Sequence, residues 1–159
     1  GARPQRMRSM TVIGGASMGM PWAGLRGRLR PMDDSMTEAE CVAVQAHNLG
    51  VMMLNNWDEI DETAGALQLH NARRARARSH PLASGDVLRN AIPNIKVPIG
   101  FIWGDADIYA LPDLAGRIDY LLKHQPQARV ELIEGAGHWV MHERAQACTE
   151  ALLRCVAAS

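Results

Sequence analysis

The chain has 159 residues, enough for one ordinary domain with its own core; 47% are hydrophobic and 21% charged, which excludes a disordered chain. Seventeen basic residues balance seventeen acidic ones, which argues against nucleic acid or an anionic membrane as the main partner. No apolar run approaches the roughly 18 residues of a membrane span, and no signal peptide is visible.

The predicted elements follow in chain order. Residues 1–9 are basic and polar. Met10–Ile13 is a short apolar run bounded by Gly14 and Gly15 and reads as a strand. GASMGMPWAG, residues 15–24, reads as loop. Thr37 with Glu40 three residues later makes a capping box. Val42, Ala46, Leu49, Met52 and Met53 continue that helix to about Leu54. A second helix is expected from near Asp58, carrying Ile60, Ala64, Leu67 and Ala75, and ending before His80-Pro81. A third begins at Ser84 or Gly85 and ends before Pro93. Residues 35–92 therefore read as a helical insert without a strand.

The pattern then changes. Pro98–Trp103 is continuously apolar with β-branched and aromatic residues, the signature of a buried strand. Pro112 opens a helix with Leu114, Ile118, Leu121 and Leu122 on one face, and Pro126 ends it. Arg129–Ile133 is the next strand. A last helix, about Met141 to Val156, is expected to bury Ala145, Cys148, Leu152, Leu153 and Val156. Strand–helix–strand crossovers imply a parallel sheet, and three strands leave one long edge unpaired. The three cysteines, Cys41, Cys148 and Cys155, lack the spacing of a disulfide framework. Cys148 and Cys155 fall about 10 Å apart on one helix, too far for a bridge. Reduced thiols and a cytoplasmic location are expected.

Gly15-Ala16-Ser17-Met18-Gly19 fits G-x-S-x-G after a strand. A nucleophile elbow needs a helix directly after its serine, and Pro21 and Gly24 interrupt. A glycine loop is the better reading. The same test removes a dinucleotide fingerprint through Gly14, Ala16 and Gly19. His138 and His142 stand four apart without a third ligand, so no metal is expected, and no cofactor. Asp107 and His138 are the stronger pair. Each follows a parallel-type strand, and catalytic groups gather at that sheet edge. An acid beside a histidine fixes its tautomer and lets it act as a general base. Asp105 is the rival acid. The bland alternative is that both aspartates cap the next helix while His138 fills a turn.

WGDAD before a proline-started helix, then EGAGHWVMHE, resembles the closing third of the α/β-hydrolase superfamily. Gly104 and Asp107 match its strand–Gly-x-x-Asp pattern, which favours Asp107 over Asp105; Gly135, Gly137 and His138 match its Gly-x-Gly-His pattern. The resemblance implies a C-terminal part of an α/β-hydrolase fold. Residues 1–34 would be the sixth-strand region, 35–92 a helical lid, and 93–159 the core bearing acid and histidine. It further implies that the nucleophile lies outside this chain, because the family's elbow precedes its sixth strand. Trp139 after the histidine is similar to carbon–carbon bond hydrolases acting on ring-cleavage products, which use a lid arginine near the substrate. Arg73 and Arg74 are the candidates, although a solvated helix face also explains the arginines at 73–78, and no aromatics interleave for nucleic-acid binding. The implied function is ester or carbon–carbon bond hydrolysis of a small organic substrate. Expected partners are that substrate, the missing N-terminal part, or a second copy. The alternative is a non-catalytic interaction domain that pairs through its exposed sheet edge.

Overall fold

Three short apolar runs form the sheet: β1 (Met10–Ile13), β2 (Ile99–Gly104) and β3 (Arg129–Ile133), all parallel in the order β1-β2-β3. The computed structural model describes residues 6–16, 18–76 and 83–157; Ser17 and the His80-Pro81 helix end lie outside them. Ile13 pairs with Ile102, and Gly104 with Ile133. The three strands therefore finish on one edge, and the loops after them meet there. β2 is central and buried along its whole length, which is why its sequence does not alternate. On one face Phe101 and Trp103 stack at 4.9 Å and pack with Ile92 and Leu121. On the other, Ile102 packs with Cys148, Ala151 and Cys155.

Among the described residues, the segment between β1 and β2 holds helices only. Helix α1 (Glu38–Met52) starts at the expected capping box: the Glu40 N–H donates to Thr37 Oγ1, and the Thr37 N–H donates to Glu40 Oε2 at 2.7 Å. The next helix begins later than its periodicity suggested. One tight turn, Trp57–Glu59, comes first, and α2 (Glu62–Arg74) starts where the Asp61 side chain accepts the Ala64 N–H. α2 lies close against α1 at Gly65, where a Cβ would sit 2.8 Å from the Val42 carbonyl oxygen. α3 (Val87–Ala91) runs into a turn at Ile92–Asn94. α4 (Leu114–His124) is capped by Asp113, one residue past Pro112, so it begins at Leu114.

The C-terminal helix departs from expectation in two ways. It is broken at Arg144 (φ −137°, ψ 55°) into α5 (Val140–Glu143) and α6 (Ala145–Ala157). Its buried face is Cys148, Ala151 and Cys155, while Ala145 is exposed and Leu153 and Val156 remain 63% and 52% exposed. The reason lies in the sheet below. Gly100 has no side chain, and a Cβ there would stand 2.6 Å from Cys155 Sγ, so small residues of α6 seat on it. Arg154 anchors one flank on Glu131 of β3 at 2.8 Å. At 100° per residue, Leu152 and Val156 fall on the flank away from β3.

Burial pushes both the Cys148 and the Cys155 thiol up from the ordinary range, which disfavours the reactive thiolate. We expect a thiol-specific reagent at pH 8 to leave both unlabelled in the native chain and to label both in denaturant. Prompt native labelling, located by peptide mapping, would show that α6 is not seated on the sheet.

Candidate functional site

The loops after β2 and β3 are laced together before any functional side chain is placed. Asp105 N–H donates to Ile133 O at 3.1 Å and Ala106 N–H to Ala136 O at 3.0 Å. Asp105 Oδ1 accepts the Gly135 N–H at 2.8 Å. Asp105 thus fastens the second loop to the first from an exposed position. Gly104 permits the close approach: a side chain there would run into the carbonyls of Ala136 and Gly137.

Two residues on, Asp107 is 1% exposed, and its Oδ2 lies 2.9 Å from His138 Nδ1. Its Oδ1 accepts the Tyr109 N–H, also at 2.9 Å. A carboxylate facing Nδ1 places the imidazole proton there and leaves Nε2 as the acceptor. Nε2 has no hydrogen-bond partner among the described residues, and the side chain is 21% exposed. Gly14, at φ +62°, closes in from β1: a Cβ would be 3.1 Å from His138 Cε1. That geometry suits a general base oriented by an acid.

A buried arginine stands behind the acid loop. Arg117 of α4 donates to the carbonyls of Tyr109, Ala110 and Pro21 at 2.9, 2.8 and 2.7 Å. It ties the segment after Asp107 to the loop after β1. Burial pushes its guanidinium below the usual arginine range, against the opposing pull of Asp113 and Asp107. Its Nη1 has no hydrogen-bond partner among the described residues. Arg117 was not picked out from the sequence, yet its spacing from Leu114 and Leu121 puts it on the apolar face of α4.

Tyr109 connects this pair to a cavity of about 570 Å³, lined among others by Met20, Trp22, Leu25, Leu29 and Met52. Its ring is 4.7 Å from the His138 ring and stacks on Trp22 at 5.4 Å and 10°. Burial, then the Asp107 charge, raises the Tyr109 hydroxyl above the usual phenol range. The other expected residues do not join them. Arg73 pairs with Glu38 at 2.8 Å on the outer surface, Arg74 is exposed, and neither lines the cavity. Trp139 packs with Leu49, Leu54 and Ala64. His142 is exposed, and no group of three metal-ligating side chains occurs among the described residues.

No protein-family model and no curated protein matches the sequence. Solved structures do. A mutant of the meta-cleavage product hydrolase CumD matches at 12% identity and TM-score 0.64, covering 99% of this chain and 59% of that one. The fold is that of the α/β-hydrolases. A bromoperoxidase from Bacillus anthracis matches at 18% identity and TM-score 0.65, over 96% of this chain and 59% of its own. Naproxen esterase from Bacillus subtilis matches at 16% and 0.62, over 96% and 52%. The chain therefore spans between about half and three fifths of these α/β-hydrolase structures. The fold class read from the sequence, a parallel-sheet part of an α/β-hydrolase, is the one observed.

Replacing Gly104 by alanine drives a methyl into two carbonyls at the crossing of the loops. We expect a loss of about 1–3 kcal/mol or more, the range of overpacked sites, measured by urea denaturation. An unchanged midpoint would contradict the close approach.

Proposed function

We propose that this chain supplies the acid and base of a serine-type α/β-fold hydrolase acting on an ester or carbon–carbon bond of a small organic substrate. The nucleophilic serine comes from a segment outside these 159 residues, one that completes the sheet. The observation that carries this reading is the bond from buried Asp107 to His138, whose Nε2 is unpaired among the described residues and whose ring is joined to an apolar cavity through Tyr109. In the complete enzyme, His138 Nε2 takes the serine proton as the hydroxyl attacks the substrate carbonyl, then returns it to the leaving group. Asp107 holds the ring and stabilises the imidazolium that forms. Helices α1–α3 act as the lid, and the core continues from β2 to α6. Trp139 packs the histidine loop against that lid. The described cavity lining carries no charged side chain, which favours an apolar acyl or alcohol group. A carboxylate held by Arg73 or Arg74 gains no support from their surface positions.

Two further features support a missing complement. Among the described residues, β1 is unpaired on its outer side. Leu152 and Val156 of α6 are exposed on the flank away from β3.

The test is hydrolysis of p-nitrophenyl butyrate. We expect no turnover by the 159 residues alone, and no labelling by a serine-directed fluorophosphonate. Extending the chain by the segment encoded upstream should give turnover. In that enzyme Asp107→Asn should lower kcat by about 10³–10⁴. Robust turnover by the 159 residues alone, abolished by Ser17→Ala, would overturn the proposal.

A further inference from the structure

The buried carboxylate of Glu143 has no part in the chemistry above. It is 5% exposed at the end of α5, and no cation pairs with it among the described residues; Arg144 turns instead to Glu59 and to the Glu143 carbonyl. Three backbone N–H groups surround it. Oε1 accepts from Asn55 at 2.6 Å and from Asn56 at 2.7 Å, and Oε2 accepts from Gly137. A buried carboxylate is tolerated only when its lone pairs are met in this way.

The origin of those donors gives the group its meaning. Gly137 immediately precedes His138, while Asn55 and Asn56 lie in the turn that leaves α1. The same two segments are joined again on the far side of His138, where the Trp139 N–H donates to Met53 O at 3.1 Å. Asn55 Nδ2 adds a bond to Gly135 O at 3.3 Å. Gly137 has no room for a side chain, since a Cβ would lie 2.7 Å from Met53 O and 2.8 Å from Asn55 N.

We infer that Glu143 is a positioning residue for His138: it fixes the histidine backbone at Gly137 and ties it to the exit of α1, while Asp107 fixes the ring. The inference rests on the acid–base reading of Asp107 and His138. Two buried carboxylates then act on the histidine, one on its ring Nδ1 and one on the Gly137 N–H that precedes it. Because the second carboxylate also holds residues 55 and 56, it couples the exit of α1 to the histidine loop, alongside the Trp139–Met53 and Asn55–Gly135 bonds.

The discriminating variant is Glu143→Gln. Its one carbonyl oxygen can keep the Asn55 and Asn56 donors, but its NH₂ then faces the Gly137 N–H, a donor against a donor. The histidine loop loses its anchor at Gly137 while the turn after α1 stays bound. The readout is the far-downfield proton resonance of His138 Nδ1–H in ¹⁵N-labelled chain, identified by its absence in Asp107→Asn. We expect the resonance in the unaltered chain and its loss through exchange broadening in Glu143→Gln, with the circular dichroism of the fold retained. Leu121→Ala, which opens the core on the other face of the sheet, controls for a general loss of stability and should keep it. An unmoved resonance in Glu143→Gln, or equal loss in Leu121→Ala, overturns the role of Glu143 alone. Absence of the resonance from the unaltered chain overturns the Asp107–His138 reading itself.

Discussion

A carboxylate withdrawn from water must find donors, and the site is arranged around that requirement. Asp107 takes two, the Tyr109 N–H and the His138 ring, and both must be delivered to it by the backbone. The loop after β3 has to pass close enough to the loop after β2 for an imidazole to reach. That is what Gly104, with no side chain, and the two backbone bonds at Asp105 and Ala106 provide. Without this approach buried Asp107 would keep the Tyr109 N–H alone and leave Oδ2 unmet, at a cost of about 1–3 kcal/mol or more.

The rest of the interior repeats the theme with other polar groups. Arg117 donates to the carbonyls beside Asp107, and Glu143 accepts the amides beside His138. Neither forms an ion pair among the described residues; each meets backbone groups that regular structure leaves over at loop edges. The fold thus spends its buried charges on loops and leaves the sheet to apolar packing.

Much of this was legible in the sequence where local rules act alone. The strands announce themselves by continuous apolar runs. Thr37 and Glu40 mark the start of α1 as a pair. The spacing of Gly104, Asp107, Gly137 and His138 gives the order of the site. What was not legible depends on the neighbour across a contact. α6 buries cysteines and alanine rather than its leucines because Gly100 lies beneath it, which the helix's own periodicity does not reveal. Arg117 occupied an apolar position in plain view, but nothing local says that three carbonyls wait there. Glu143 carried no signal at all, since its donors come from residues more than eighty positions away as well as from six. Arg73 and Arg74 were singled out by likeness to a lid; Glu38 on α1 supplies a simpler partner for Arg73.

Among the described residues the outer side of β1 is unpaired, and Leu152 and Val156 are exposed on the flank of α6 away from β3. A parallel strand accepts any suitable neighbour, including the same strand from another molecule. The two features lie on one side, so a strand pairing there would meet hydrogen-bonding and apolar surface together. Any chain pairing there would do so by mass action. Occupancy of such an edge would therefore depend on concentration.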